Sequence, residues 1–124
     1  MTKETAICKI HKENNIIHIQ FNEDVTLKQM NLNEIYEYIS DVYGNNNLPK
    51  LIDLRASLSI DDKAKQVVKD QNSSVILAKQ AVLTGKNTNE EILKVFIGIH
   101  GEKTPVRTFT NYENAITWLM SSEK

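Results

Sequence analysis

The order in which hydrophobic patterns change along the chain limits the folds that it can adopt. Two short stretches of alternating residues, 6–11 and 16–21, come first and predict two β-strands. From residue 25 onward, segments with apolar residues at helical spacing alternate with apolar runs that are too short for helices. This alternation is typical of a layered α/β fold with a largely parallel sheet. We therefore expect about four helices on a mostly parallel mixed sheet that begins with an antiparallel hairpin.

The hairpin is expected because the four residues between the first two strands end in two asparagines, which favour turns. Closing the turn after His11 gives three apolar cross-strand pairs: Ile10 with Ile17, Cys8 with Ile19, and Ala6 with Phe21. The opposite face would carry a mixed set suited to partial exposure: Ile7, Lys9, His11, Ile16, His18 and Gln20.

Residues that favour helix starts precede all four helical patterns. Thr26, with Gln29 in a capping box and Val25 stapled to Met30, predicts a first helix over 27–43 that ends at Gly44. Ser59, Thr88 and Thr110 mark the other three starts, and the third helix is expected to stop at His100-Gly101. The residues predicted to face inward are Leu32, Ile35, Ile39 and Val42; Ile60, Ala64, Val67, Val68 and Gln71; Ile92, Val95, Phe96 and Ile99; and Tyr112, Ile116 and Leu119.

Three apolar runs predict the remaining strands: Lys50–Leu54, Gln80–Thr84 and Val106–Phe109. The stretch 75–83, VILAKQAVL, has two readings, since it can be a helical turn leading into a strand or two strands that meet at Lys79. We prefer the first, and we read the asparagines at 45–47 as a loop. No linker, repeat or low-complexity segment interrupts the order, so residues 1–124 are expected to form a single domain.

Composition disfavours several classes of function. The chain has 15 basic and 16 acidic side chains, a formal net charge of -1 and no long block of either sign, so nucleic acid is not an expected partner. No apolar run approaches the roughly 20 residues that cross a bilayer, and the polar N-terminus does not look like a secretion signal. We expect no stable membrane insertion and a cytoplasmic location. One cysteine, three scattered histidines and four separated glycines give neither zinc-ligand spacing nor a phosphate loop, so no metal or cofactor is expected.

The candidate site lies where the predicted strands end, because ligands of open α/β sheets bind beyond the carboxyl ends of the strands. Arg55 could hold an anion with its planar guanidinium, or it could pair with Asp53 while that carboxylate ties down the loop, which is the simpler reading. Asp61 and Asp62 fall in the first turn of the second helix, where the helix dipole stabilises carboxylates without any catalytic role. The polar residues expected near this edge are Asp53, Arg55, Ser57, Ser59, Thr84 and Gly85.

The remaining reactive side chains do not combine into a catalytic set. His11 and His18 share a face of the hairpin and are close enough for a diagonal contact, yet nothing completes a ligand set, so we expect a surface pair. His100 can satisfy carbonyls at a helix end, and Cys8 is expected to be an inert core thiol. Since no nucleophile, base and oxyanion site can be assembled, we do not expect an enzyme.

Three stretches carry a resemblance to a known family: 15–21 (NIIHIQF), 51–55 (LIDLR) and 112–119 (YENAITWL). With the order of elements, they resemble the STAS domains of bacterial anti-sigma-factor antagonists of the SpoIIAA type, and more closely the small stand-alone STAS/SEC14-like proteins. In the antagonists, a partner kinase phosphorylates a serine at the start of the second helix. The matching positions here are Asp61 and Asp62, so the resemblance implies a SpoIIAA-like fold without the usual phosphoacceptor serine. The carboxylate of Asp62 imitates a dianionic phosphate poorly, and Ser59 is a less available acceptor if it caps the helix.

The resemblance implies a non-enzymatic, STAS-like regulatory or protein-interaction module that binds an unidentified protein and can also be a homodimer. The alternative, implied by the SEC14-like members, is a carrier of a small apolar, lipid-like ligand between the sheet and the first helix, although a chain of this length has little room beyond its own core. The residues expected to contact a protein partner are Asp53, Arg55, Ser57, Ser59, Asp61 and Asp62.

Overall fold

The computed structural model describes residues 2–44, 48–74, 78–97 and 105–122, and of residues 71–74 only the backbone. The helices are α1 (Gln29–Tyr43), α2 (Asp62–Ser74), α3 (Glu90–Ile97) and α4 (Tyr112–Met120). The strands are β1 (Thr2–Glu4), β2 (Cys8–Glu13), β3 (Ile16–Phe21), β4 (Val25–Leu27), β5 (Lys50–Asp53), β6 (Leu58–Ile60), β7 (Gln80–Leu83) and β8 (Val106–Phe109).

Six of the strands form one mixed sheet in the order β1-β2-β3-β5-β7-β8. The three N-terminal strands are antiparallel, whereas β3, β5, β7 and β8 run parallel to one another. The short strands β4 and β6 pair with each other, in parallel, as a second small sheet. The predicted architecture of four helices on a mostly parallel mixed sheet with an N-terminal antiparallel hairpin is therefore confirmed.

Alternate residues of the strands point to opposite sides of the large sheet, so apolar side chains lie on both of its faces. Helices cover each face. On one face, the sheet packs against α1, α2 and α3 in a cluster that includes Ile10, Ile19, Ile52, Leu32, Ile35, Val68, Ile92 and Phe96. On the other face, α4 packs over the parallel strands in a smaller cluster of Ile16, Leu51, Ala81, Leu83, Ala115, Trp118 and Leu119. The strand β5 is buried on both faces, as its continuous apolar pattern predicted.

The predicted hairpin forms, but its register is wrong by two residues. Cys8 lies opposite Phe21 and Ile10 opposite Ile19, because β2 continues to Glu13 and only two residues form the turn. Those residues, Asn14 and Asn15, both have positive φ, of 54° and 60°, as a type I′ turn requires. A shift of two residues keeps each side chain on its predicted face. The apolar face is buried from Cys8 onward, whereas Ala6 precedes β2 and is exposed.

The opposite face of the hairpin is less exposed than predicted. Ile16 is buried under the cluster formed with α4, and His18 is buried as well. Ile7, which was also predicted for this face, precedes β2 and instead packs in the larger cluster on the other side of the sheet. Lys9 and Gln20 are exposed, as expected.

The predicted starts of α1 and α2 are wrong, because Thr26 and Ser59 belong to strands. Their hydroxyl oxygens lie 2.8 Å apart, joining β4 to β6, and Lys28 is the residue before α1. Met30 is 78% exposed and forms no hydrophobic staple. The helix α1 does end at Gly44, whose φ is 71°. The last two helices begin one residue later than expected, with Asn89 and Asn111 accepting hydrogen bonds from the first turn of α3 and of α4.

Most of the predicted inward residues are buried. Val67 and Ile116 are only partly buried, and two others are exposed: Val42, at 48%, and Tyr112, at 40% at the start of α4. The buried face of α4 is instead formed by Ala115, Trp118 and Leu119. Predictions for residues 45–47, 75–77, Ile99, His100 and Gly101, and for the side chain of Gln71, fall outside the described residues.

The position of Cys8 leads to a first testable prediction. Cys8 is fully buried at the start of β2, opposite Phe21, and burial raises the pKa of the thiol. Because the thiolate is the reactive form, we expect labelling of the native protein to be roughly a hundredfold or more slower than labelling in denaturant. Stopped-flow or mass-spectrometric labelling at neutral pH measures both rates. Equal rates would contradict the burial of this strand.

Candidate partner-binding edge and an adjacent cleft

The carboxyl end of β5 carries a clamped ion pair. Asp53 Oδ1 accepts hydrogen bonds from the backbone N and the Nε of Arg55, each at 3.0 Å, and Oδ2 accepts one from Nη2 at 2.8 Å. Asp53 is 9% exposed, whereas the side chain of Arg55 is 47% exposed. The hydrogen bond with Asp53 raises the pKa of Arg55. Of the two sequence readings, the pairing of Arg55 with Asp53 is the one that the structure has.

The loop after Arg55 is held by residues from the β3–β4 connection. Glu23 Oε2 accepts a hydrogen bond from the backbone N of Ser57 at 3.0 Å, and the carbonyl of Ser57 accepts one from the N of Asp24 at 2.8 Å. The Asp24 backbone has a φ of 59°, in the left-handed region that aspartate tolerates. Since these contacts use the backbone of Ser57, its side chain remains on the exposed surface.

The start of α2 is capped by Asp61. Its Oδ1 accepts a hydrogen bond from the N of Ala64 at 2.8 Å, and its carbonyl accepts one from the N of Lys65. The side chain of Asp62 is 99% exposed and lies 3.3 Å from Lys65 Nζ, which also lies 3.0 Å from a carboxylate oxygen of Glu91. The prediction that both aspartates lie in the first turn of α2 is therefore correct for Asp62, whereas Asp61 precedes the helix and caps it.

The predicted residues thus follow one another along a short exposed stretch. We call residues 55–62 the loop–helix edge; its exposed side chains are Arg55, Ser57, Ser59, Asp61 and Asp62. Sequence reasoning missed Glu23 and Thr26, which fix this edge from more than 30 residues away. No local pattern could have identified them, because both contacts depend on tertiary pairing.

Of the two residues predicted at the other end of this edge, Thr84 bonds to the carbonyl of Phe109 at the end of β8, whereas Gly85 contacts the β5 end. The amide N of Gly85 donates to Thr88 Oγ1, which donates in turn to the carbonyl of Leu54, both at 2.8 Å. A Cβ at position 85 would lie 3.4 Å from Arg55 Cγ, so Gly85 lies directly against the arginine stem.

A small cleft lies beside the Asp53–Arg55 pair, on the face of the sheet that α4 covers only in part. His11 and His18 are directly opposite each other rather than diagonal, with ring centroids 4.5 Å apart and planes at 21°. They are not a simple surface pair, because His18 is only 6% exposed. The Tyr112 ring lies 6.2 Å from that of His18. Among the described residues, no three His, Cys, Asp or Glu side chains are arranged to hold a metal ion.

The cap at Asp61 gives a second prediction, which replaces the expectation that Ser59 caps the helix. Asp61→Ala should lower the free energy of unfolding by about 1 kcal/mol, since it removes the acceptor for the Ala64 amide. Asp61→Asn should cost much less, because asparagine also caps helices well. Ser59→Ala should change it by less than about 0.5 kcal/mol, since it removes only an exposed hydroxyl contact. Urea denaturation of the three variants measures these differences, and a larger loss for Ser59→Ala than for Asp61→Ala would contradict the assignment.

The arrangement of strands and helices defines a SpoIIAA-like fold. A solved structure with the same arrangement is that of an uncharacterized protein of the DUF3478 family from Shewanella loihica PV-4, described as having a SpoIIAA-like fold. It superposes with a TM-score of 0.60, at 12% sequence identity, over 90% of this chain and 91% of that chain. At this identity the similarity shows the fold alone.

The chain belongs to the family described as a domain of unknown function, DUF7793, which matches residues 10–123. The comparison with curated proteins gives no match. Within the described part of the chain, no helix has the length and apolar character needed to cross a membrane. The expectation that residues 1–124 form one domain stays a prediction.

Proposed function

We propose that this chain is a non-enzymatic regulatory or protein-interaction module that binds a protein partner through the loop–helix edge. The proposal rests on one observation: the backbone of this edge is held in place while its side chains are exposed. Its backbone is fixed by Asp53, Glu23 and the cap at Asp61, while the side chains of Ser57 and Asp62 extend into solvent. A surface that is already ordered loses little conformational entropy when a partner binds.

The charges of the edge suggest what the partner presents. Asp62 is almost fully exposed, and its carboxylate interacts favourably with the N-terminal end of the α2 dipole. The exposed part of the Arg55 guanidinium lies at the beginning of the same segment. We propose that the partner places a basic group against Asp62, since complementary charges favour specific association.

We also propose that this surface is constitutive and is not switched by phosphorylation. The two positions that match the phosphoacceptor segment of the antagonists hold Asp61 and Asp62. Ser59 does not cap the helix, but its hydroxyl is engaged with Thr26. Ser57 is exposed and is the serine to monitor in any test.

We favour this proposal over a carrier of an apolar ligand. The space between the sheet and α1 is occupied by Leu32, Ile35 and Ile39, which pack with the buried residues of β2, β3 and β5. Among the described residues, the larger open depression on the surface has a mainly polar lining, with Lys9, Glu23, Asp53 and Arg55 around it. An apolar ligand would require an enclosed apolar space.

The proposal is tested by affinity capture from the cells that produce the protein, with wild-type, Asp62→Asn and Asp41→Asn baits. Asp41 is an exposed aspartate on α1, distant in sequence from the edge, and it provides a matched control. We expect Asp62→Asn to weaken capture of a specific protein, Asp41→Asn to leave it unchanged, and the intact mass to show no phosphate. Identical capture by all three baits would remove the edge from the proposal, and a stoichiometric phosphate on Ser57 or Ser59 would overturn the constitutive surface.

A further inference from the structure

A small cleft on the α4 side of the sheet carries hydrogen-bonding groups that the protein itself does not use. We call it the histidine cleft; it has a volume of about 120 Å³ and its polar lining is formed by His11, His18, Gln20, Asp53, Arg55 and Tyr112. A second, larger depression of about 370 Å³ shares Gln20, Asp53 and Arg55 with it. The histidine cleft therefore lies on the face of the sheet and adjoins the loop–helix edge at Arg55.

The side chains of His11, His18, Gln20 and Tyr112 form no hydrogen bond with any described residue. For His18 this is unusual, because the residue is only 6% exposed. Within the described part of the chain, Trp118 Nε1 is the fully enclosed side-chain atom that has no hydrogen-bond partner. The ring nitrogens of His18 are not among these enclosed atoms, and the residue lines the histidine cleft, so a ligand in the cleft can reach them. A buried imidazole of this kind is stabilised by a ligand that completes its hydrogen bonds.

The charged residues in the lining of the cleft, Asp53 and Arg55, neutralise each other. On the same side of the sheet as His11, Lys9 pairs with Glu4 of β1, and Glu13 lies at the end of β2. Tyr112 is the ionisable residue that α4 contributes to the lining. Burial and the neighbouring His11 lower the pKa of His18, which keeps the imidazole neutral at neutral pH. The cleft thus offers donors and acceptors without a net charge.

The shape of the lining narrows the class of ligand. The two imidazole rings are nearly parallel, so their nitrogen lone pairs lie in neighbouring planes and do not converge as the ligands of a metal ion do. The rings of His11 and Tyr112 instead provide flat surfaces against which a planar group can stack. An anion would have no unpaired cation here, because the Arg55 guanidinium already holds the Asp53 carboxylate with two of its nitrogens.

We propose that the histidine cleft binds an uncharged, planar heteroaromatic compound that carries both a hydrogen-bond donor and a hydrogen-bond acceptor. The ring stacks against His11 or Tyr112, and its polar edge completes the hydrogen bonds of His18 and Gln20. This inference goes beyond the proposed protein interaction, since it concerns a small molecule bound on the sheet face beside the edge.

The test uses uracil as the neutral planar probe, with inorganic phosphate and acetate as anionic probes and the isolated wild-type protein. The histidine Cε1–H signals are followed by NMR at pH 7.5 and pH 5. We expect saturable shifts of the His11 and His18 signals with uracil and none with the anions. Binding should weaken as the pH is lowered, because protonation of His18 removes the acceptor that the ligand needs.

Two variants and one control assign the binding to the cleft. His18→Phe and Gln20→Leu should each weaken uracil binding by about tenfold, the usual effect of losing a hydrogen bond in a binding site. Gln66→Leu on α2 is the matched control and should not change it. If His18→Phe fails to fold, Gln20→Leu still decides the matter, because Gln20 is exposed. Absence of a saturable shift with uracil, equal binding by Gln20→Leu, or phosphate binding that strengthens at pH 5 would each overturn the proposal.

Discussion

Replacing Trp118 with alanine is expected to lower the free energy of unfolding by about 3–5 kcal/mol, as is typical when a buried aromatic side chain is removed. Trp118 is 5% exposed and anchors α4 on the sheet. Its ring lies 5.7 Å from that of Phe109, and Lys79 Nζ lies 4.8 Å from the indole. The same ammonium group donates hydrogen bonds to the carbonyls of Trp118 and Ser121, so the anchor also holds the end of α4.

Trp118→Phe is the matched control for this substitution. It keeps an aromatic ring in the cluster and removes an indole N–H that has no partner among the described residues, so we expect a cost well below that of alanine. Since Trp118 is the one tryptophan of the chain, unfolding must be followed by circular dichroism rather than by tryptophan fluorescence. Equal destabilisation by phenylalanine and alanine would contradict the packing account.

Asp53→Ala is expected to have the second largest effect, a loss of about 2 kcal/mol. The substitution removes the acceptor of three hydrogen bonds from Arg55, including one from its backbone. The loss is limited because the Arg55 side chain is half exposed and can be hydrated once it is released. Because the backbone N of Arg55 loses its acceptor, the loop–helix edge should also become less ordered, and capture of the partner should weaken.

Asp53→Asn separates the two consequences of that change. Asparagine can still accept from the backbone N of Arg55 but cannot form the ion pair, so we expect an intermediate loss of stability with the loop still in place. Denaturation midpoints and amide hydrogen exchange of residues 55–60 measure the two effects. An unchanged midpoint for Asp53→Ala would show that the pair does not support the edge.

The architecture could be predicted because its signals are local. Strand and helix periodicities differ, and their order along the chain fixes an α/β arrangement. The hairpin register was wrong because the turn was taken as four residues, although the pair Asn14-Asn15 is itself a signal for a two-residue turn with positive φ. The error preserved the two faces because side chains alternate with a period of two.

The starts of α1 and α2 could not be predicted from local patterns. Thr26 and Ser59 each precede a helical pattern and resemble capping residues, but they pair with each other in β4 and β6. That pairing joins residues 33 positions apart, and no short window of sequence contains it. Tertiary structure thus overrides a good local signal at both positions.

The candidate site was predicted in part. The position of Asp53 and Arg55 at the end of β5 followed from the strand order, and their pairing was one of the two readings. The supporting role of Glu23 and the burial of His18 were missed, because both depend on how distant segments and α4 pack. The binding roles of the edge residues stay predictions.

The central claim, that the loop–helix edge contacts a protein partner, is tested most directly by photo-cross-linking in the producing cells. A photoreactive amino acid is placed at Ser57, on the edge, or at Met30, which is 78% exposed on α1 and lies outside it. We predict a discrete cross-linked protein from position 57 that is lost when Asp62→Asn is added, and none from position 30. The same cross-linked protein from both positions, or none from position 57, would contradict the claim.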